Sequence, residues 1–138
     1  RGAELAGKDP DEVKTTLSLT CCALEDGEYA RNLVRQHLAF YVGGMGTYYR
    51  DNLARQGHEE LAHAIYDAWN DGRREEATAM VDDDLLDEMA VGGTPERARD
   101  LLGEFEAIDG VDAVSVSFPR AASVEEIVST MEALAPGA

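Results

Sequence analysis

The side chains of this 138-residue chain that could do chemistry are few, and their spacing narrows them quickly. His58-Glu59-Glu60-Leu61-Ala62-His63 has the composition of a zinc-binding helix. The metal-binding pattern sets two histidines four apart on one helix face, whereas these are five apart, about 140° around the helix. They read as surface or partly packed histidines. His37, on the apolar face of its own helix, reads as a satisfied core histidine. Asp82-Asp83-Asp84 with Asp87 and Glu88 lacks the spacing and the glycine of a calcium loop and reads as solvated surface, so no metal site is expected. Gly43-Gly44-Met45-Gly46 fails the dinucleotide fingerprint, because Tyr49 stands where the third glycine belongs and a helix precedes it. It reads as a hinge between helices. Cys21 and Cys22 are neighbours on an expected strand and point to opposite faces, which makes a mutual disulfide strained.

What remains is Gly92-Gly93-Thr94-Pro95-Glu96, where a short strand gives way to a helix. Two glycines there could turn backbone N–H groups toward an anion at the helix N-terminus. Phe118-Pro119-Arg120 puts a cation at the same end of the sheet. Gly92, Gly93, Thr94 and Arg120 are therefore the candidate anion or cofactor contacts. Their other reading is a plain, well-capped turn and a lone surface arginine. The strand ends, Cys21 and Cys22 included, offer no general acid or base, and no Ser-His-Asp arrangement is present.

The elements that position these residues follow from periodicity. Arg1 to Gly7 reads as a helix end closed by glycine. Thr15 to Cys22 alternates with β-branched residues and reads as a strand buried at its end. Asp26-Gly27 opens a helix with Tyr29, Leu33, Val34, His37, Leu38 and Tyr41 on one face. A second helix carries Tyr48, Tyr49, Leu53 and Ala54 inward and stops at Gly57. Further helices are expected over His58–Asn70 and Glu75–Val81, with a short acidic helix or turn over Asp82–Glu88. A short strand is expected near Met89–Val91. Thr94, Pro95 and Glu96 form a helix start, and that helix runs to about Ala107. Asp112–Phe118 alternates as a strand. Ser123 and Glu126 make a capping box for a last helix, about Val124 to Ala135. Strands separated by helices imply parallel pairing.

Composition sets the environment. Asp and Glu number 28 against 12 Lys and Arg, a formal net charge of −16. Such a field repels nucleic acid and anionic membrane. The acids run from Glu4 to Glu132 instead of forming a tail, and ten of the 12 basic residues are arginine. Two readings fit, an acidic binding protein that attracts cations and a salt-adapted, halophilic surface; the even spread of the acids favours the second, for which stability should fall at low salt. The unpaired cysteines fit a reducing, cytoplasmic setting, and the absence of an initiator methionine suggests a trimmed chain or an excerpt.

Several runs resemble the luciferase-like flavin/deazaflavin monooxygenase superfamily. They are Gly7-Lys8-Asp9-Pro10 before a strand; Glu25-Asp26-Gly27 opening a helix that ends Ala39-Phe40-Tyr41-Val42-Gly43; Tyr48-Tyr49 with Leu53 to Gly57; and above all Ala90 to Phe118. The chain is most similar to members that use the deazaflavin coenzyme F-420, such as methylene-tetrahydromethanopterin reductase-like oxidoreductases. The resemblance implies an α/β fold: the helix-rich C-terminal portion of a (β/α)8 TIM barrel, about strands six to eight. Thr16–Thr20, Met89–Val91 and Ala113–Phe118 would be those strands, with the short one in the middle. Residues 1–138 would form one unit, with 44–88 as a helical insertion. It further implies coenzyme F-420 or FMN as the cofactor and hydride transfer as the activity. It leaves the chain short of a barrel of ~250 residues, inactive alone, and partnered by a missing N-terminal half or by a second copy of itself. The other reading is a non-enzymatic, salt-adapted α/β interaction domain that dimerises.

Overall fold

One eight-residue strand sits at the centre of the molecule. The structure, a computed structural model, describes residues 2–137, so Arg1 lies outside the described residues. In chain order the elements are α1 (Gly2–Leu5), a 3-10 turn (Pro10–Glu12), β1 (Thr16–Ala23), α2 (Gly27–Gly44), α3 (Thr47–Leu53), a π-helical turn (Ala54–His58), α4 (Glu59–Asn70), α5 (Arg74–Ala79), α6 (Asp83–Met89), β2 (Val91–Gly93), α7 (Pro95–Glu106), β3 (Ala113–Ser117) and α8 (Val124–Leu134). The caps are those the sequence announces. Asp26 accepts the Tyr29 N–H, Thr94 accepts the Arg97 N–H, and Ser123 with Glu126 closes a reciprocal capping box.

All pairings are parallel, but the strand order is β2-β1-β3. The expected middle position of the short strand is therefore wrong: β1 is central. The reason lies in length and in what each strand can cover. Its carboxyl half pairs with β2, Cys21 to Ala23 opposite Val91 to Gly93. Its amino half pairs with β3 on the other edge, Thr16 to Thr20 opposite Ala113 to Ser117. There β3 lays Val114 beside the same cluster as Leu17 and Leu19. The Asp112 carboxylate pins the register, accepting the Thr15 N–H at 2.8 Å and the Lys14 ammonium at 2.9 Å. The short strand also begins two residues later than expected, because Met89 completes α6.

From β1 the chain crosses one way to reach β2 and back the other way to reach β3. Right-handed crossovers in opposite directions place their helices on opposite faces. The two cores obey this. Leu19, Cys21 and Ala23 pack with Val91, Ala98 and Leu102 of α7, joined by Ala133 and Leu134 of α8. Cys22 points the other way, into the larger core with Val34 and Leu38 of α2, Ile65 of α4 and Leu86 of α6. Adjacent cysteines thus serve two separate cores. Burial pushes the Cys21 thiol up to about 12 and the Cys22 thiol to about 11, so neither is a thiolate at neutral pH.

Two expectations for individual side chains do not hold: Tyr29 and Tyr48 face solvent instead of packing inward. The glycine run does break the helix, at Met45 and Gly46 (φ 77°), while Gly43 and Gly44 complete α2. Gly43 is a close contact as well. A Cβ on Gly43 would lie 2.3 Å from Trp69 Cβ, so glycine is what lets α2 and α4 close on each other.

That contact yields a prediction with a definite sign. Alanine at a helical glycine normally gains up to about 1 kcal/mol of helix propensity. At Gly43 a methyl fixed to the backbone meets another Cβ, and overpacking costs about 1–3 kcal/mol. Gly43→Ala should lower the urea midpoint, and a stabilised variant would show that α2 and α4 do not approach this closely.

Candidate functional site at the carboxyl ends of the strands

Gly92 and Gly93 end β2 and are buried; Thr94 caps the helix that follows. This corner is tightly built. A Cβ on Gly92 would approach Val34 Cγ2 at 3.3 Å and Arg31 Cα at 3.4 Å; one on Gly93 (φ 152°) would approach Arg97 Cδ at 2.9 Å; and one on Gly27 would lie 2.8 Å from the Thr94 nitrogen. The glycines let α2, β2 and α7 converge. The Gly93 carbonyl accepts the Leu24 N–H at 3.1 Å, and the Gly92 carbonyl accepts Arg31 Nη1–H at 3.1 Å.

Arg31 is the residue that composition and periodicity missed. It is 6% exposed. Its guanidinium donates to Asp87 at 2.7 Å and to Asp83 at 2.9 Å. Arg35 joins Asp83 and also pairs with Glu28 at 2.7 Å, while Arg97 joins Asp87. Burial alone would lower the Arg31 pKa and is the largest single effect on it. Its two carboxylate partners together outweigh burial, and the pKa is raised. The Asp83 carboxyl is held below its ordinary value, first by Arg31 and then by Arg35. The acidic run expected to be mere solvated surface is thus partly a counter-charge for a buried arginine. One signal was available: Asp83 and Asp87 are four apart, so a single helix face presents both.

The corner's charges are internally matched, and Arg97 fills the space beside Gly93. The cleft outside Thr94 is walled by Asp87, Glu96, Asp100 and Glu104 against Arg97. Such a surface is unfavourable to an anion, and it holds no acid–base pair poised for proton transfer.

Arg120 lies elsewhere. Its backbone N–H donates to His37 Nδ1 at 3.2 Å, and its guanidinium lies 4.2 Å from the centre of the Phe40 ring. It borders a different cleft, on the far side of α2 from Gly92. The structure therefore gathers Gly92, Gly93 and Thr94 but does not bring Arg120 to them. His58 pairs with Glu88 at 3.1 Å and His63 is exposed. Among the described residues no three His, Cys, Asp or Glu side chains converge as a metal-holding group, and no helix is long and apolar enough to cross a membrane.

The sequence pattern of the luciferase-like monooxygenase family matches residues 1–112. A Mycobacterium tuberculosis protein assigned to the coenzyme F-420-dependent oxidoreductases is 26% identical over 100 residues, which is 70% of this chain and 28% of that protein. The solved coenzyme F-420-dependent tetrahydromethanopterin reductase of Methanopyrus kandleri superposes with a TM-score of 0.69 at 25% identity, over 96% of this chain and 37% of its own. The chain thus spans well under half the length of either.

His37 supplies a prediction. Burial, and then the Arg120 charge, lower its pKa below the ordinary value of 6.5, and its Nδ1 is occupied as an acceptor. In the pH range between the lowered folded value and 6.5 the unfolded chain binds the extra proton. The contribution is therefore intact above 6.5 and is lost as pH falls through the folded value. The unfolding free energy of the native chain should drop on acidification relative to that of His37→Asn, whose oxygen can accept the same N–H without titrating. Parallel acid dependences in urea unfolding would contradict this role.

Proposed function

Because the chain belongs to the luciferase-like monooxygenase family, we propose that it is the C-terminal part of an oxidoreductase that moves hydride with coenzyme F-420 or FMN, and that it does not turn over alone. The observation that carries this reading is the match of nearly the whole chain to a 37% portion of a coenzyme F-420-dependent reductase. Barrel enzymes assemble their sites from the carboxyl ends of several strands, and this chain contributes three.

The residues present do not by themselves fit a phosphate-bearing coenzyme. Arg97 occupies the space beside Gly93, and the adjoining cleft is walled by four carboxylates. No chemical step is therefore derived on this chain. In a completed barrel, Gly92, Gly93 and Thr94 would be its share of the coenzyme wall. Arg120 would join them only if β3 left β1 and paired with the outer edge of β2, as sequential barrel order requires. The edge of β1 that β3 now covers would then be free for strand five of the front half.

One structural observation keeps association in view. Val124, Val128 and Met131 lie three and four residues apart on α8 and are 76%, 45% and 56% exposed, an apolar stripe of the kind a partner covers. A front barrel half or a second copy of this chain would serve, and a non-enzymatic, dimerising domain is the second reading. The salt-adapted surface suits a cytoplasm of high ionic strength.

The isolated chain, assayed with reduced deazaflavin and with reduced FMN, should give no oxidation above background. Light scattering at high salt should report a dimer in the absence of a front half. Sustained turnover by the chain alone would overturn the first reading, and a stable monomer with protected α8 amides would overturn the association.

A further inference from the structure

We propose that the cleft between α2, α5 and the turn after β3 is a binding site for a flat organic carboxylate, held by Arg74 and Arg120. The cleft has a volume of about 840 Å³, within the range of small-molecule sites. Its apolar walls are Phe40 and Trp69, whose rings meet edge-to-face with centroids 5.8 Å apart. Each carries an arginine: Arg120 lies 4.2 Å from the Phe40 centroid and Arg74 lies 5.3 Å from that of Trp69. The cleft stands apart from the Gly92–Thr94 corner, and Arg120 lines it with β3 paired to β1.

Two unpaired arginines laid over two rings of one cleft are what single it out. This chain has 28 acidic residues to 12 basic ones, and Arg31, Arg35, Arg50, Arg73 and Arg97 all sit in ion pairs. Among the described residues Arg55, Arg74, Arg99 and Arg120 are in no ion pair; of these only Arg74 and Arg120 line the cleft, each over one of its rings, with Glu75 on the same wall. Both are exposed. A guanidinium resting on an aromatic ring is held by the ring's quadrupole and partly stripped of water. Its edge N–H groups then point outward as a fixed fork, the geometry that a carboxylate accepts in two parallel hydrogen bonds. The Arg120 backbone is fixed at the rim as well, because its main-chain N–H donates to His37 Nδ1. A ligand with a carboxylate and a planar apolar body satisfies the guanidinium and buries its ring against Phe40 and Trp69. The exposed amides of Asn32 and Gln36 line the rim and can meet a second polar group.

Trp69 is the sole tryptophan of the chain, so its emission reports on this cleft alone. The test titrates the full chain with isophthalate, with its uncharged analogue isophthalamide, and with inorganic phosphate, at one fixed ionic strength, following Trp69 emission and the heat of binding. Isophthalate should saturate one site. Isophthalamide, which lacks the charge, and phosphate, which lacks the ring, should each bind at least about ten-fold more weakly, the factor expected for losing a hydrogen bond to a charged group. Arg74→Gln and Arg120→Gln should each weaken isophthalate by a similar factor. Arg55→Gln, on an exposed arginine outside the cleft, should leave it unchanged. The proposal is overturned by the absence of saturable isophthalate binding, by equal affinity for isophthalamide or for phosphate, or by a Kd that Arg74→Gln and Arg120→Gln leave where it was.

Discussion

A strand in the middle of a sheet has two edges of backbone N–H and C=O groups, and leaving either one unpaired among apolar side chains is costly. β1 meets this constraint in pieces. Along Cys21 to Ala23 one edge is taken by β2. Along Thr16 to Thr20 the opposite edge is taken by β3. On the β3 side, the stretch beyond the end of β3 is closed by a side chain: the Thr130 hydroxyl of α8 accepts the Ala23 N–H at 3.1 Å and gives its proton to the Glu126 carbonyl at 2.8 Å. Thr130 is 1% exposed. The crevice between the ends of β1 and β3, where open sheets of reversed strand order usually take a ligand, is thus filled by the last helix of the chain.

This closure accounts for the disagreement between the local sequence and the sheet order. The caps of α2, α7 and α8 were legible because each depends on a few adjacent residues. The strands at Thr16 and Ala113 were legible because alternation is local. Which strand lies between which was not, because it depends on what else competes for the edges of β1. A barrel supplies strand five there; this chain supplies β3. The break at the glycine run was legible and falls at Met45 and Gly46. That Gly43 also seats α4 was not, because its partner across the contact, Trp69, is distant in the chain. At the candidate site Gly92 to Thr94 was found and its cap was right, but the role of the glycines was close packing around Arg31. The Asp83 and Asp87 spacing could have announced that arginine, had the acidic run not been absorbed into the overall charge.

That charge explains more than solubility. With acids in excess, what each arginine is set against shows how the positive charge is spent. Arg31, Arg35 and Arg97 are spent on joining α2, α6 and α7 around the end of β2. Arg74 and Arg120 are instead laid on aromatic rings. The same excess of acid leaves the corner beside Thr94 hostile to phosphate, and a phosphate-bearing coenzyme would need cations from outside this chain. Membership of an oxidoreductase family and absence of a self-sufficient seat for its coenzyme are consistent when the chain is one portion of the barrel.

The strand order is the central claim, and a crosslink tests it directly. Leu17 and Val114 are register partners in β1 and β3, and adjacent strands hold such pairs within disulfide reach. The native cysteines are buried and do not compete. On mild oxidation, Leu17→Cys/Val114→Cys should close a disulfide with native circular dichroism retained, and Val91→Cys/Val114→Cys should not. A disulfide in the second pair and none in the first would place β3 beside β2, restore sequential barrel order, and contradict a sheet with β1 at its centre.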